Sequence, residues 1–293
     1  MDLKHLKTFV KIVDTGSFTG AAEALGYTQS NITAHFQQLE SELGTPLLDR
    51  AGRKLSLTEA GHEVYLRAVE MLNIAENMNE IKNLNGPLTG SLRIAAPESM
   101  MAEMIEPVIK SFFSEHKQVS LTIANCTCND AYCQLTEGEC DLALMFLPVR
   151  NDANLEIVPI KEEPLALIAP YNLNTDRLED FVAHNALSVP LIVNEKECCY
   201  RTGFEQYLID KKISCNQKIE IWGIESTKRL VRDGVGISVL PEVCARSEIE
   251  SCDLKCIKLD PEIKPITLYL VFFKDRYRTR ATEAFINAMR SLN

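Results

Sequence analysis

Ser30, Ala34 and Gln37, with Asn31, Thr33 and Gln38 beside them and Gln29 just ahead, put amides and hydroxyls where a solvated helix face more often carries Glu and Lys. Amides and hydroxyls both donate and accept hydrogen bonds, and an alanine methyl can touch the methyl of thymine. The set therefore suits base edges in a DNA major groove. The plain alternative is an ordinary solvated face. Arg50, Arg53 and Lys54, close together in "RAGRK", form a second cluster, suited to backbone phosphates that fix register without reading sequence. A third lies in "ECCYR", Glu197 to Arg201, where a guanidinium two residues after Cys199 could hold an anion or lower a thiol pKa.

The elements that must position the first two clusters are legible from apolar spacing. Leu3, Leu6, Phe9, Val10 and Val13 recur at three and four residues, which predicts a helix ending near Gly16. Ser17 caps a second helix, in which Gly20, Ala21, Ala22 and Ala24 permit close approach by another, and Gly26 closes it. Thr28 or Gln29 opens a third, buried through Ile32, Phe36, Leu39 and Leu43, with Gly44 and Pro46 as stops. On a 100° wheel, Ser30, Ala34 and Gln37 lie opposite Ile32 and Phe36. The segment "AGRKLSLTEAGHEVY" then reads as a basic loop, a short strand at Lys54 to Leu57, and Thr58 capping a long helix. Together these make a winged helix-turn-helix. From Glu59 to about Leu84, Val64, Ala68, Met71, Ala75 and Met78 follow a 3.5-residue period, a coiled-coil seam; a helix lying on its own domain is the alternative. "NLNGPLTGS", Asn83 to Ser91, reads as a hinge.

Composition bounds the rest. A chain of 293 residues with 46% hydrophobic content should form two or more domains. No apolar run reaches the roughly 18 residues of a membrane span, and the N-terminus lacks a signal-peptide layout, so a cytoplasmic location with no membrane partner is expected. Ten cysteines are then expected as thiols. A net charge of -10 excludes wholesale attraction to nucleic acid, and the first 60 residues hold six basic side chains against seven acidic ones. The basic "RAGRK" is a local point in a neutral domain. Cys126, Cys128, Cys133 and Cys140 lack paired CxxC spacing, which argues against zinc, and no metal or other cofactor is expected. The five histidines are scattered and no phosphate-binding glycine loop occurs, so an enzyme is not expected.

Beyond the hinge the pattern changes. "SLRIAAP", a helix from Ser99 to about His116, "VSLTIANC", a helix around Asp130 to Glu137 and "CDLALMF" alternate as in an α/β domain with parallel strands. A second series runs through "LEIVPIKEEPLALIAP", "ALSVPLIVN", a helix near Arg201 to Lys211, "KIEIWG" and "GVGISVLP". A late strand, "ITLYLVFF", precedes a helix from Arg280 to Ser291.

The stretch "LKTFVKIVDTGSFTGAAEALGYTQSNITAHFQQLESELGTPLLDRAGRKLSLTEAGHEVY" resembles the N-terminal domain of LysR-type transcriptional regulators over about 60 residues, with Leu48 where the family usually has Phe. "GECDLALMF" and "GVGISVLP" extend the likeness over essentially the whole chain. The resemblance implies a winged helix-turn-helix DNA-binding domain at 1–58, a dimerising linker helix and hinge at 59–87, and a periplasmic-binding-protein-like, two-lobed α/β effector domain at 88–293. Its lobe I would comprise about 88–160 and 266–293, its lobe II about 161–265. The partners implied are operator DNA, a small-molecule effector and further copies of the chain in a homodimer or homotetramer.

An effector should sit where strand ends meet helix starts, because free backbone N–H groups and the helix dipole favour an anion there. The resemblance implies that "PESM", "NCTC", "ECCYR" and "GIES" line that cleft. The expected contacts are Glu98, Ser99, Met100, Thr127, Cys199, Arg201 and Ser226, and the expected effector a carboxylate or other anion; Glu98 counts against this. For Arg201 an ion pair bridging its own helix to a neighbouring acid stands as an equal alternative. Cys199 is similar in placement to the reactive cysteine of peroxide-sensing members, but the downstream resolving position is Leu208. Redox sensing through Cys199, and a small-molecule-binding protein without DNA activity, are the rival readings.

Overall fold

The computed structural model describes residues 1–49, 55–80, 86–146 and 152–292. It divides into two compact units, one built on Met1–Gly90, the other on Ser91–Leu135 and Cys140–Asn293.

In the first unit, α1 (Leu3–Thr15), α2 (Phe18–Leu25) and α3 (Gln29–Leu43) each begin on a side-chain cap: Asp2 accepts from Lys4 N, Ser17 from Gly20 N, and Thr28 from Asn31 N. Leu6, Phe9, Ile12, Ala21, Ala22, Ile32, Phe36 and Leu39 form the buried centre. Phe36 is fully enclosed, stacked on Phe9 at 6.0 Å and edge-on to Phe18 at 5.4 Å. The strands β1 (Leu48–Asp49) and β2 (Ser56–Leu57) pair antiparallel and lead into α4 (Glu59–Glu80). Leu48 is core, as a substitution for Phe requires. A Cβ on Gly61 would lie 2.0 Å from Leu47 O, so only glycine lets the start of α4 pack on the segment before β1.

The expected coiled-coil seam divides. Ala68 is buried in the first unit and Val64, Tyr65 and Leu72 pack against the same core, the arrangement of a helix lying on its own domain. Further along, Met71, Ile74 and Met78 are exposed.

The second unit begins with β3 (Thr89–Ala96), α5 (Glu98–Met100), a π-helical turn (Met101–Ile105), α6 (Glu106–Glu115), β4 (Gln118–Asn125), α7 (Cys128–Thr136), β5 (Leu142–Met145) and β6 (Leu155–Glu163). Next come β7 (Leu165–Pro170), the hairpin β8 (Val182–Ala183) and β9 (Ala186–Leu187), β10 (Leu191–Val193), α8 (Cys199–Asp210) and β11 (Lys218–Glu220). The last are α9 (Ile224–Arg232), β12 (Ile237–Pro241), α10 (Arg246–Glu250), β13 (Leu254–Ile257), β14 (Ile266–Phe273) and α11 (Arg280–Arg290). Two five-stranded sheets result, ordered β4-β3-β5-β14-β6 and β11-β10-β12-β7-β13. The late strand β14 thus returns to the first sheet, giving two lobes.

The first series is parallel as expected, β3 with β5, and the strands that follow mix directions. β10 is likewise parallel to β11 and β12, whereas β14 runs antiparallel to β5 and β6, and β7 antiparallel to β12 and β13. The reason is connectivity, since the chain enters each of these strands from the opposite end after crossing between lobes. β5 and β12 are buried at every residue, which is why their sequences read as unbroken apolar runs. Asp141 pins β5 to β3, accepting from Arg93 N at 2.9 Å and from its guanidinium at 2.8 Å. The helix expected from Ser99 to His116 is interrupted by the π-helical turn beside Ser99. Among the described residues no helix is long and apolar enough to cross a membrane.

Candidate functional site

Two sites emerge, one in each unit. On α3 the periodicity that buries Ile32, Phe36 and Leu39 turns Gln29, Ser30, Asn31, Ala34 and Gln37 outward, all exposed, with Thr33 half-buried. Two hydroxyls are already engaged: Thr33 Oγ1 donates to Gln29 O at 2.9 Å, and Ser30 Oγ lies 2.9 Å from the Thr28 cap hydroxyl. Gln29, Asn31 and Gln37 present their amides to solvent. Behind them, Glu40 accepts from Leu47 N at 2.7 Å and Thr58 Oγ1 donates to Pro46 O at 2.8 Å, tying the end of α3 to the β1–β2 segment. Arg50, Arg53 and Lys54 lie outside the described residues.

In the second unit, a cavity of about 320 Å³ opens between the two lobes. That is the low end of the range for small-molecule sites. Pro97, Glu98, Ser99, Asn125, Cys126 and Thr127 line it from the first sheet's strand ends and helix starts; Asn194, Glu195, Tyr200, Trp222, Gly223 and Ile224 line it from the second. Thr127 caps α7, donating its hydroxyl to Asp130 Oδ2 at 2.8 Å and accepting from Asp130 N at 3.1 Å, while Asp130 Oδ2 also accepts from Thr127 N at 3.3 Å. The positive end of that helix is therefore already met by a carboxylate. Asn194 is 4% exposed, and its Oδ1 has no hydrogen-bond partner among the described residues.

Of the seven expected effector contacts, Glu98, Ser99 and Thr127 line this cavity and Met100, Cys199, Arg201 and Ser226 do not. Met100 is fully buried and Ser226 faces solvent from the first turn of α9. Arg201 takes the alternative role. Its guanidinium pairs with Glu205 at 3.1 Å, one turn along α8, and with Glu220 on β11 at 2.9 Å, and donates to Asn194 O. Burial works against its charge, but Glu220 and Glu205 hold it more firmly protonated than usual. A guanidinium with three partners in its own lobe is a strut for β10 and β11. Asn194, Glu195 and Trp222 were missed: each lies within two residues of a strand end, after "LIV" and "KIE", and that position is the signal that could have found them.

The cysteines also sort by environment. All ten are free thiols. Cys140 is core, and burial pushes its thiol up to about 12; burial likewise raises Cys198 to about 12 and Cys126 to about 11. Cys199 shares a thiol–thiol hydrogen bond with Cys128 of the other lobe, and that contact, with burial, pushes its pKa far above the ordinary range. A thiol so held is protonated at neutral pH and a slow nucleophile. Among the described residues no group of three His, Cys, Asp or Glu side chains is arranged to hold a metal.

Residues 3–62 match the bacterial regulatory helix-turn-helix protein, lysR family, and residues 85–293 match the LysR substrate binding domain. The chain is 31% identical over 291 residues to an uncharacterized HTH-type transcriptional regulator, YwqM, of Bacillus subtilis, covering 99% of both chains. In fold it is similar to a full-length OxyR variant from Pseudomonas aeruginosa, with TM-score 0.73 and 20% identity over 99% of this chain and 95% of that one. It is also similar to full-length CbnR in complex with its target DNA, with TM-score 0.69 and 19% identity over the whole of both chains.

Proposed function

The chain belongs to the LysR family and is a DNA-binding transcriptional regulator with an effector-binding domain, and from that premise we propose that α3 enters the major groove of operator DNA and reads it through Gln29, Ser30, Asn31, Thr33, Ala34 and Gln37. The observation that carries this is the exposed, uncharged, hydrogen-bonding face of α3 set opposite its buried Ile32, Phe36 and Leu39. That the similar CbnR was captured on its target DNA agrees with it. Arg50, Arg53 and Lys54 serve as phosphate contacts. The exposed Met71, Ile74 and Met78 on α4 are the surface through which copies of the chain associate as dimers or tetramers, so that two half-sites are engaged together.

The effector is a small molecule held in the cavity between the lobes. With Arg201 committed to Glu205 and Glu220, the expectation of an anion loses its guanidinium. The raised Cys199 pKa favours this reading over peroxide sensing at that thiol.

Footprinting and salt titration test the DNA assignment. Gln29→Ala, Ser30→Ala and Gln37→Ala should each relax preference at individual base pairs, by about 1–3 kcal/mol for a good contact, with folding unchanged. Arg50→Ala and Arg53→Ala should each reduce the slope of log affinity against log salt by about one while sequence preference survives. Wild-type footprints from all three α3 variants would remove this helix from the groove.

A further inference from the structure

We propose that the inter-lobe cavity recognises a small molecule through a protonated amine. The inference rests on the reading of this cavity as the effector site and goes on to name the ligand's chemistry.

The charged side chains among the cavity's described lining residues are Glu98 and Glu195, one from each lobe. The Glu98 carboxylate extends toward the opposite lobe: its Oε2 lies 3.9 Å from where a Cβ on Gly223 would stand. Asn194, next to Glu195 in the lining, has a buried carbonyl oxygen that accepts from no described group. All three are acceptors. An ammonium has three donors and no acceptor, which is the complement of this set, whereas a carboxylate would meet like charge from both sides. Tyr200 and the exposed indole of Trp222 add aromatic faces, which attract cations and repel anions. Two of the features that would serve an anion are occupied, although the N-terminus of α9 at Gly223 carries no side-chain cap. Arg201 is bound to Glu205 and Glu220, and the N-terminus of α7 is capped by Thr127 and Asp130.

The arrangement also gives the ligand a way to act. Glu98 and Glu195 belong to different lobes, so a cation between them is held best when the lobes approach, and its differential affinity biases the domain toward that state.

Cys126 lines the cavity and makes its charge measurable without knowing the ligand. In the full chain, the small thiolate fraction of Cys126 slowly attacks an aminoethyl or a sulfonatoethyl methanethiosulfonate, forming a mixed disulfide and releasing methanesulfinate, and peptide mass spectrometry gives each rate, of which only the ratio between reagents is used. Relative to free cysteine, the cationic reagent should be favoured about tenfold or more, and Glu98→Gln and Glu195→Gln should each shrink that preference. In parallel, propylamine and ethanolamine should raise the melting temperature, while butyrate and glycolate should not. Glu195→Gln should weaken the amines about tenfold. Asn194→Asp, which adds a charge at the unpartnered oxygen, should tighten them. No cationic preference at Cys126, silence from both amines, or a shift from the carboxylates alone would each overturn the proposal. An amine that binds in an Asn194- and Glu195-dependent way yet leaves operator affinity unchanged would instead sink the effector reading while the amine site stands.

Discussion

The α3 face and the inter-lobe cavity are both polar surfaces, but they are assembled in opposite ways. On α3 the functional side chains lie within nine residues, and one helical period decides at once which are buried and which are presented. Around the cavity, the lining comes from four short segments between Pro97 and Ile224, each positioned by a different strand end. A periodic site inherits its geometry from local structure. A convergent site inherits it from the packing of two sheets, so a single strut such as Arg201 can decide what its neighbours present.

That contrast can be broken most forcefully through Phe36. Phe36→Ala should cost about 3–5 kcal/mol, all in the first unit, and should abolish operator binding while the second unit's melting transition stays in place. Calorimetry on the full chain reads both transitions; a loss shared by the two would mean that the units do not fold independently. Next, Arg201→Ala removes a donor from Asn194 O and Glu220 and leaves Glu205 with Lys218 alone, and should lower the second unit's stability by about 1–3 kcal/mol, with amine affinity reduced only indirectly. Stability unchanged but ligand response lost would make Arg201 a ligand contact after all.

A pH titration sharpens the same point. Burial favours the protonated form of Glu205, but hydrogen bonds from Lys218 and Arg201 outweigh it and leave the carboxyl below its ordinary value of 4.5. A depressed folded pKa contributes stability that is complete above the unfolded value and is lost as the pH falls through the folded one. The second unit should therefore lose stability below about pH 4.5, and a denaturant series should find that acid limb flattened in Arg201→Ala. The smallest effect is expected from Cys199→Ser: its response to peroxide in a reporter assay should match wild type, because the thiol it replaces is protonated and hydrogen-bonded to Cys128. A peroxide-blind serine variant would reverse that.

How far each region was legible follows from the same contrast. The three helices, their caps at Ser17 and Thr28 and the outward face at Ser30, Ala34 and Gln37 are all short-range consequences of spacing. In the second unit the strands read correctly because β5 and β12 are continuous apolar runs. The antiparallel directions of β14 and β7 were not legible, because they depend on where the chain crosses between lobes. The candidate segments for the cavity were found, yet within "ECCYR" it is Tyr200 that lines it while Arg201 turns to Glu220. One residue along a helix is a 100° turn, and sequence does not say which direction faces the cleft. The β8–β9 hairpin escaped notice because its turn places His184 and Asn185 at positive φ, 52° and 59°, without the glycine that usually marks such a turn.

The position of β14 has a consequence for how the chain is made. It pairs with both β5 and β6, more than 100 residues upstream, so on the ribosome the first sheet waits for that whole intervening stretch before its gap is filled. The second lobe, whose strands all lie between Leu165 and Ile257, can close first. Until residue 273 emerges, β5 and β6 present open hydrogen-bonding edges, the kind of surface that recruits chaperones or aggregates. A premature stop just before Ile266 should thus ruin the lobe whose first strands are made earlier and spare the one synthesised after it.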